Sequence, residues 1–185
     1  FKKLTNFYPM SSDIRIRKGL DIQLEGKAEA ITKVAPLSQV YGLRPAEFHR
    51  VIPKLIAREG ATVKAGDPVF YDKRDERVLF PSPVSGTITE IIRGERRKIL
   101  EIRITPDAQQ SFHEYEKKQV DSLSPEQIKE HLLQTGCWPL IKQRPYDVIA
   151  SVDSQPKAIF ISACKTNPLA PDYDYVLKGK EKELQ

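Results

Sequence analysis

The amino-acid sequence predicts a mainly β fold of the α+β class, and three observations support this prediction. Leu100, Ile102 and Ile104 alternate with charged residues, and this period of two is typical of a half-buried strand. Glycines such as Gly60 and Gly66 recur between short apolar runs, where a strand must reverse its direction with a positive φ. One stretch, residues 124–135, carries the signals of a short helix.

Residues 51–104 contain two β units of similar plan, joined by a charged hairpin. We expect the first unit to turn at Gly60 and Gly66, and the second to turn at Gly86 and Gly94. The apolar strand positions are Leu55, Ile56, Val63, Val69, Phe70, Val78, Phe80, residues 87–92 and residues 99–104. The connection between the units, residues 71–77, has the sequence YDKRDER, which predicts a long, solvated hairpin.

The chain divides into four predicted segments. They are a flexible arm at 1–12, a β domain at 13–106, a polar connection with the helix at 107–143, and the start of an incomplete α/β domain at 144–185. Further short strands are predicted at 14–16, 22–24 and 31–35, followed by a loop or short extended segments at 37–50. In the polar connection, the few apolar anchors are Phe112, Tyr115 and Val120.

The helix has a clear predicted beginning and end. Ser124 is a good N-cap, Pro125 suits the first helical position, and Gly136 suits the position beyond the last turn. After it, residues 147–150 and 157–163 are strand-like, and the second is a continuous apolar run typical of a central strand buried on both faces. So few residues follow that we expect the sequence to be a piece of a longer protein, cut inside its second domain.

Composition and spacing argue against several classes of function. The net charge is +5, but 30 basic residues are interleaved with 25 acidic ones, so nucleic-acid binding is not expected. The two cysteines, Cys137 and Cys164, are too few and too far apart for a disulfide framework or a zinc site. The three histidines lack metal-ligand spacing, and neither a phosphate-binding loop nor a catalytic triad is visible. We therefore predict no catalytic residue and no metal site.

The central stretch resembles the barrel-sandwich hybrid of biotinyl and lipoyl carrier domains. The matching residues are EGATVKAGDPVF, the pair Asp72 and Lys73, and FPSPVSGTITEI. The resemblance implies a flattened structure of two similar halves, with a modified lysine at the tip of the hairpin between them. Lys73 lies in roughly that place, but Arg74 follows it where carriers have a small apolar residue. Lys73 is therefore a disfavoured attachment site, and the alternative is a solvated charged hairpin.

A more extensive resemblance runs from Ile14 to the end of the chain. Six motifs, in order, are similar to those of the NqrA family of bacterial sodium-translocating NADH:quinone reductase subunits: IRIRKGLDIQLEGKA, KVAPLSQVYGLRP, LIAREGATVKAGDPVFYDKR, FPSPVSGTITEIIRGERRK, LLQTGCWPLIKQRPYDVIA and AIFISACKTNPLAP. Members of that family continue beyond the barrel-type domain into an α/β domain. The resemblance thus implies that this sequence contains the first domain and the beginning of the second.

The same resemblance implies a role in a membrane redox pump. The protein would be a peripheral subunit on the cytoplasmic face of the bacterial inner membrane, and it would contact other subunits, including a membrane-embedded one. FMN, FAD, riboflavin and a 2Fe-2S centre would belong to the partner subunits, with quinone as the substrate of the complex and no cofactor on this chain. Residues 37–45 and 144–148 are the segments that the family associates with quinone. The candidate contacts of suitable type are Tyr41, Arg44, Trp138, Arg144 and Tyr146. A β interaction module of unrelated use remains the third alternative.

Overall fold

Two antiparallel sheets share one apolar core in the computed structural model, which describes residues 24–26, 29–162 and 170–180. Both sheets belong to the larger of two compact units, Val34–Ala158. The strands are β1 Tyr41–Leu43, β2 Pro53–Leu55, β3 Thr62–Val63, β4 Pro68–Asp72, β5 Asp75–Pro81, β6 Gly86–Arg93 and β7 Ile99–Pro106. The four-stranded sheet has the order β1-β7-β6-β3, and the three-stranded sheet has the order β2-β4-β5. The mainly β prediction for residues 51–104 is confirmed.

The core between the sheets consists of the alternate residues that the sequence pattern indicates. Ile88, Ile102 and Ile104 of the four-stranded sheet are fully buried, as are Phe70 and Phe80 of the three-stranded sheet. The two phenylalanine rings stack with their centroids 4.4 Å apart. Burial of a large apolar side chain stabilises the fold by about 1.5–3 kcal/mol, so each of these five residues contributes substantially to the stability of the unit.

Strand β7 departs from strict alternation at its beginning. Ile99 is buried, whereas Leu100, which we expected on the core face, is 39% exposed. The register explains the change, because Ile92 pairs with Glu101 but Arg93 pairs with Ile99, which leaves Leu100 as the extra residue of a bulge. A bulge turns the side chains that follow it to the opposite face, and an alternating sequence does not reveal where one occurs.

The charged connection between the two β units is a short hairpin, not a long one. Strands β4 and β5 remain paired up to Asp72 and Asp75, so the turn consists of Lys73 and Arg74 alone. The charges of YDKRDER therefore lie largely on strand residues. The predicted length of this solvated hairpin was wrong, because charged residues can occupy the solvent face of a strand as readily as they occupy a loop.

The helix begins and ends as predicted. Helix α1 spans Pro125–Gln134, with a capping box in which the Ser124 side chain accepts from the Gln127 backbone N–H and the Gln127 side chain accepts from the Ser124 N–H. Gly136 has φ +69°, as a helix C-terminus often requires. Beyond a 3-10 turn at Trp138–Leu140, the short strands β8 Lys142–Gln143 and β9 Val148–Ile149 form a separate hairpin.

Two predicted strands are not formed. Residues 31–35 have no regular structure, and Val34 is 96% exposed. Residues 157–162 are likewise not a strand, and Phe160 and Ile161 are exposed. Both runs have strand-like composition, but a strand forms only when a neighbouring strand accepts its hydrogen bonds, and no sheet of the described residues includes them. The predicted strand at 14–16, most of that at 22–24, and Ala163 lie outside the described residues.

The smaller unit is described by itself at residues 24–26, 29–33, 159–162 and 170–180. It contains one short helix, α2, at Tyr173–Leu177. The Asp172 side chain caps this helix by accepting from the Tyr175 N–H.

The polar connection after β7 is held by hydrogen bonds more than by apolar anchors. Phe112 and Val120, two of the three predicted anchors, are each 67% exposed. Instead, the His113 Nδ1 atom lies 2.7 Å from Asp67 Oδ1, and the Tyr115 hydroxyl donates to the Gly66 carbonyl at 2.7 Å. Backbone hydrogen bonds between residues 65 and 111–113 add to this attachment. The connection is thereby fixed to the turn between β3 and β4.

This attachment predicts a dependence of stability on pH. Burial raises the pKa of the Asp67 carboxyl, but hydrogen bonds from the Lys64 backbone N–H and the His113 ring outweigh it and hold the pKa below its usual range. A depressed folded-state pKa contributes stability above the unfolded value of about 3.9, and this contribution is lost as pH falls through the folded value. We expect Asp67→Asn to lower the free energy of unfolding at pH 7, with a difference from wild type that shrinks towards pH 3.

Urea unfolding followed by circular dichroism at pH 7, 5, 4 and 3 measures this difference. Glu114→Gln is the matched control, because Glu114 is an exposed acid on the same connection with no hydrogen bond or ion pair in the described part of the chain. A difference between wild type and Asp67→Asn that stayed constant across this pH range would contradict the role of the Asp67 carboxylate.

Candidate functional site

Two of the five candidate quinone residues lie at the outer edge of the four-stranded sheet. Tyr41 begins β1 opposite Ile104 and is half-buried against the core. Its hydroxyl accepts a hydrogen bond from the Ser38 N–H at 3.2 Å, so the hydroxyl proton remains available to another acceptor. Arg44 follows the strand, is exposed, and pairs loosely with Glu47 at 3.5 Å and Glu101 at 3.9 Å.

The other three candidates belong to the segment after helix α1. Arg144 and Tyr146 lie in the connection between β8 and β9, and both are exposed. Trp138 is only 7% exposed, and its indole N–H donates to the Ala150 carbonyl at 2.8 Å. Trp138 is therefore a core residue that holds the end of β9 in place. Among the described residues, no hydrogen bond, ion pair or ring contact joins the Tyr41 and Arg44 pair to the Arg144 and Tyr146 pair.

Two adjoining cavities lie in the larger unit. The larger has a volume of about 370 Å³ and is lined by residues 49–51, 72, 74, 75, 78 and 148–153. The smaller, of about 230 Å³, is lined by Pro45, Ala46, Phe48, Arg50, Val51, Pro53, Lys98 and Ile99. Arg50 and Val51 line both cavities. Pro45 ends the first candidate quinone segment and Val148 ends the second, so each segment reaches the wall of one cavity.

Two acidic residues that line the larger cavity, Asp75 and Asp153, belong to one ion-pair network. The Arg77 guanidinium donates to both oxygens of Asp75, at 2.8 and 2.7 Å, and to both oxygens of Asp153, at 3.2 and 3.0 Å. These hydrogen bonds lower the pKa of both carboxyls, and the two carboxylates raise the pKa of Arg77. Arg77 thus links β5 to the loop after β9, and all the oxygens of Asp75 and Asp153 have a partner.

Three basic side chains at this cavity were not singled out by the sequence. His49 and Arg50 lie just before β2, and Arg74 lies in the hairpin turn between β4 and β5. The sequence carries no spacing signal for them, because the two groups are more than 20 residues apart and only the fold brings them to one cavity. Lys73, the disfavoured attachment residue, is the exposed neighbour of Arg74 in the same turn. Its backbone N–H donates to the Ile52 carbonyl at 2.8 Å.

Neither a membrane-spanning helix nor a metal-binding cluster is found in the part of the chain that the structure describes. No helix there is long and apolar enough to cross a membrane. No cluster of three or more histidine, cysteine or acidic side chains there has a geometry that could hold a metal ion.

Two protein-family models match the chain in order. Residues 14–107 match the NqrA N-terminal barrel-sandwich hybrid domain, and residues 123–185 match the NqrA second alpha/beta domain. The first match confirms the predicted barrel-sandwich class and agrees with the two sheets described above.

Similar curated proteins come from several bacteria, and each bears the name of the A subunit of a Na(+)-translocating NADH-quinone reductase. The protein of Haemophilus influenzae (strain PittGG) is 38% identical over 175 residues, which is 89% of this chain and 37% of the relative. That of Actinobacillus pleuropneumoniae serotype 3 is 37% identical over 182 residues, or 93% and 39%. That of Glaesserella parasuis serovar 5 is 35% identical over 173 residues, or 92% and 39%.

These relatives are much longer than the sequence described here. The chain spans 37–39% of their length. The first family model alone covers more than half of the 185 residues. The chain therefore belongs to the NqrA family.

Proposed function

We propose that this chain belongs to a peripheral subunit of a membrane-bound, sodium-translocating NADH:quinone reductase. In this role it contributes to the assembly of the complex and to the quinone-binding region, and it performs no catalytic step alone. The observation that carries the proposal is the ordered match to both family domains, together with 35–38% identity to relatives that bear that name. The electron carriers FMN, FAD, riboflavin and 2Fe-2S belong, in this proposal, to partner subunits.

The chemistry of the two candidate segments supports the quinone part of the proposal. A quinone head group needs apolar or aromatic faces and a hydrogen-bond donor at each carbonyl oxygen. Tyr41 retains a free hydroxyl proton, and the Arg144 guanidinium has no hydrogen bond or ion pair among the described residues. Tyr146 and Arg44 offer a further ring and a further donor. Trp138 acts indirectly in this proposal, because its indole is buried and its N–H holds the Ala150 carbonyl.

The proposal also includes a location for the protein. It sits on the cytoplasmic face of the bacterial inner membrane and docks on other subunits, at least one of which is embedded in the membrane. The four-stranded sheet suits this role because it holds Tyr41 on strand β1, while Arg144 lies in the turn of the separate β8–β9 hairpin.

The quinone region can be tested in the intact complex with Tyr41→Phe and Arg144→Ala. Tyr41→Phe removes the hydroxyl donor but keeps the aromatic ring. Arg144→Ala removes the guanidinium donor but keeps the backbone of the β8–β9 hairpin. Loss of one hydrogen bond to a quinone carbonyl is expected to lower kcat/KM for quinone by about tenfold, since a charge-assisted or well-desolvated bond contributes about 1–2 kcal/mol. NADH oxidation by a soluble artificial acceptor should remain unchanged, because that reaction does not use the quinone site.

Lys142→Ala is the matched control, since Lys142 is an exposed cation on the same hairpin and is not a candidate contact. Co-purification of the variant proteins with the complex must first be shown by gel analysis. If both test variants assemble and reduce quinone at the wild-type rate, the two segments do not form the quinone region.

A further inference from the structure

The larger cavity combines three basic side chains that have no internal partner. His49, Arg50 and Arg74 all line it, and within the described residues none of the three side chains makes a hydrogen bond or an ion pair. Exposed arginines commonly fold onto a nearby carboxylate, and three carboxylates are within the same cavity. The partners of those three carboxylates therefore decide which charges remain free in the cavity.

The carboxylates of the cavity are already engaged elsewhere. Asp75 and Asp153 are both held by Arg77 through pairs of hydrogen bonds. The Oδ1 atom of Asp72 accepts the backbone N–H groups of Ile52 at 3.2 Å and Arg74 at 3.1 Å. A further cation, Lys129, donates to the Val152 carbonyl at 2.8 Å beside Asp153. In the described part of the chain Asp72 pairs with no cation, so the charges without an opposite partner are those of Arg50, Arg74 and Asp72, and the two positive charges outnumber the negative one.

The two loops that carry these cations are fixed to each other. The Ile52 N–H donates to Asp72, and the Lys73 N–H donates to the Ile52 carbonyl at 2.8 Å, which ties the segment before β2 to the hairpin turn. Arg50 has φ +66°, a left-handed conformation that residues other than glycine seldom adopt. The backbone thus holds Arg50 and Arg74 beside one cavity without any contact between their guanidinium groups. Two arginines that line one cavity offer guanidinium donors of the kind that binds the oxygens of a phosphate or carboxylate.

Apart from its basic and acidic residues and Ser151, the cavity wall is apolar. Val78 and Val152 are buried, and Val51, Val148 and Ile149 are half-buried. A volume of about 370 Å³ is within the range of small-molecule sites. We propose that this cavity binds a small organic oxyanion, with its phosphate or carboxylate group on Arg50 and Arg74 and its apolar part against the valines. The proposed site involves none of the five candidate quinone contacts, although Val148, the last residue of one candidate segment, lines the cavity.

Isothermal titration calorimetry on the 185-residue chain tests the proposal with three probes of similar size. Phenyl phosphate and benzoate carry the oxyanion, and benzyl alcohol is the neutral counterpart. We expect at least one of the anions to bind and benzyl alcohol to bind at least about tenfold more weakly, since charge-assisted hydrogen bonds are roughly twice as strong as neutral ones. Preference for phenyl phosphate would identify a phosphate ester as the ligand class, and preference for benzoate a carboxylate.

The double variant Arg50→Gln with Arg74→Gln should weaken binding of the anion by about tenfold or more. Arg58→Gln with Arg93→Gln is the matched control, because it removes the same charge from two exposed arginines that do not line the cavity. Circular dichroism should show the same unfolding midpoint for both double variants. The proposal is overturned if neither anion binds, if benzyl alcohol binds as tightly as the anions, or if the control weakens binding as much as the test variant.

Discussion

Gly86→Ala should destabilise the larger unit by about 3 kcal/mol, the upper part of the range for overpacked positions. A Cβ atom added at Gly86 would lie 2.1 Å from the Thr105 carbonyl oxygen and 2.8 Å from the Pro106 Cα atom. Both are backbone atoms of β7, so neither can move away as a flexible side chain would. Gly86 pairs directly with Pro106, so relief of the contact requires β6 and β7 to separate where they are joined.

Gly42→Ala is the matched control for this prediction. Gly42 also lies in a strand that pairs with β7, opposite Arg103, but an added Cβ would approach only the Glu101 side chain, at 3.1 Å. The Glu101 Oε1 atom also accepts from the Arg103 Nε–H at 2.8 Å, but it is the end of a flexible side chain and can shift by the few tenths of an ångström that the added Cβ requires. We expect a change within about 0.5 kcal/mol. Urea unfolding of both variants, followed by far-UV circular dichroism, measures the difference. Equal stability of the two variants would contradict the prediction, because it would show that the β7 backbone at Pro106 can shift away from residue 86 without loss of stability.

Gly86 also shows what a glycine in a sequence does and does not reveal. The sequence predicts turns at Gly60, Gly66, Gly86 and Gly94, and positive φ angles at Gly60 and Gly66 confirm the first two. Gly86 instead begins β6, where it is needed because another strand approaches closely. A missing side chain serves either purpose, and only the position of the partner strand decides between them.

The elements that the sequence predicts correctly are those specified by neighbouring residues. The capping box of helix α1 involves Ser124 and Gln127, three residues apart, and the alternation of β7 at Ile102 and Ile104 involves a single strand. The apolar runs at 31–35 and 157–162 look similar locally but have no partner strand in the described sheets. A strand requires a neighbour that is distant in the sequence, so its composition alone is not sufficient evidence.

The candidate site depends, even more than the strands do, on contacts between residues that are far apart in the sequence. The family resemblance selects residues 37–45 and 144–148, whereas the cavity cations Arg50 and Arg74 belong to neither segment. They reach one cavity because Ile52 bonds to both Asp72 and Lys73 across two strands. In the linear sequence these charges are indistinguishable from other solvated arginines, and only their place at one cavity in the folded chain distinguishes them.

Of the five candidate quinone residues, Trp138 is the one whose substitution we expect to affect the stability of the protein and not quinone binding. Trp138→Ala should lower the free energy of unfolding by about 3–5 kcal/mol, because it empties a buried site the size of an indole. It also removes the N–H donor that holds the Ala150 carbonyl, and so releases the loop that contains the buried Val152. Trp138→Phe keeps most of the apolar contact and should lower the free energy of unfolding by less. Its expected loss is about 1–3 kcal/mol, because the Ala150 carbonyl is left without a donor.

These two variants separate a structural role from a quinone contact. Trp138 is the one tryptophan in the sequence, so unfolding of the variants must be followed by far-UV circular dichroism and not by indole fluorescence. In the intact complex, Trp138→Phe should leave the KM for quinone unchanged wherever the protein remains folded, because the indole does not face a ligand. A raised KM in Trp138→Phe with no loss of stability would contradict this assignment and would place the indole in the quinone region.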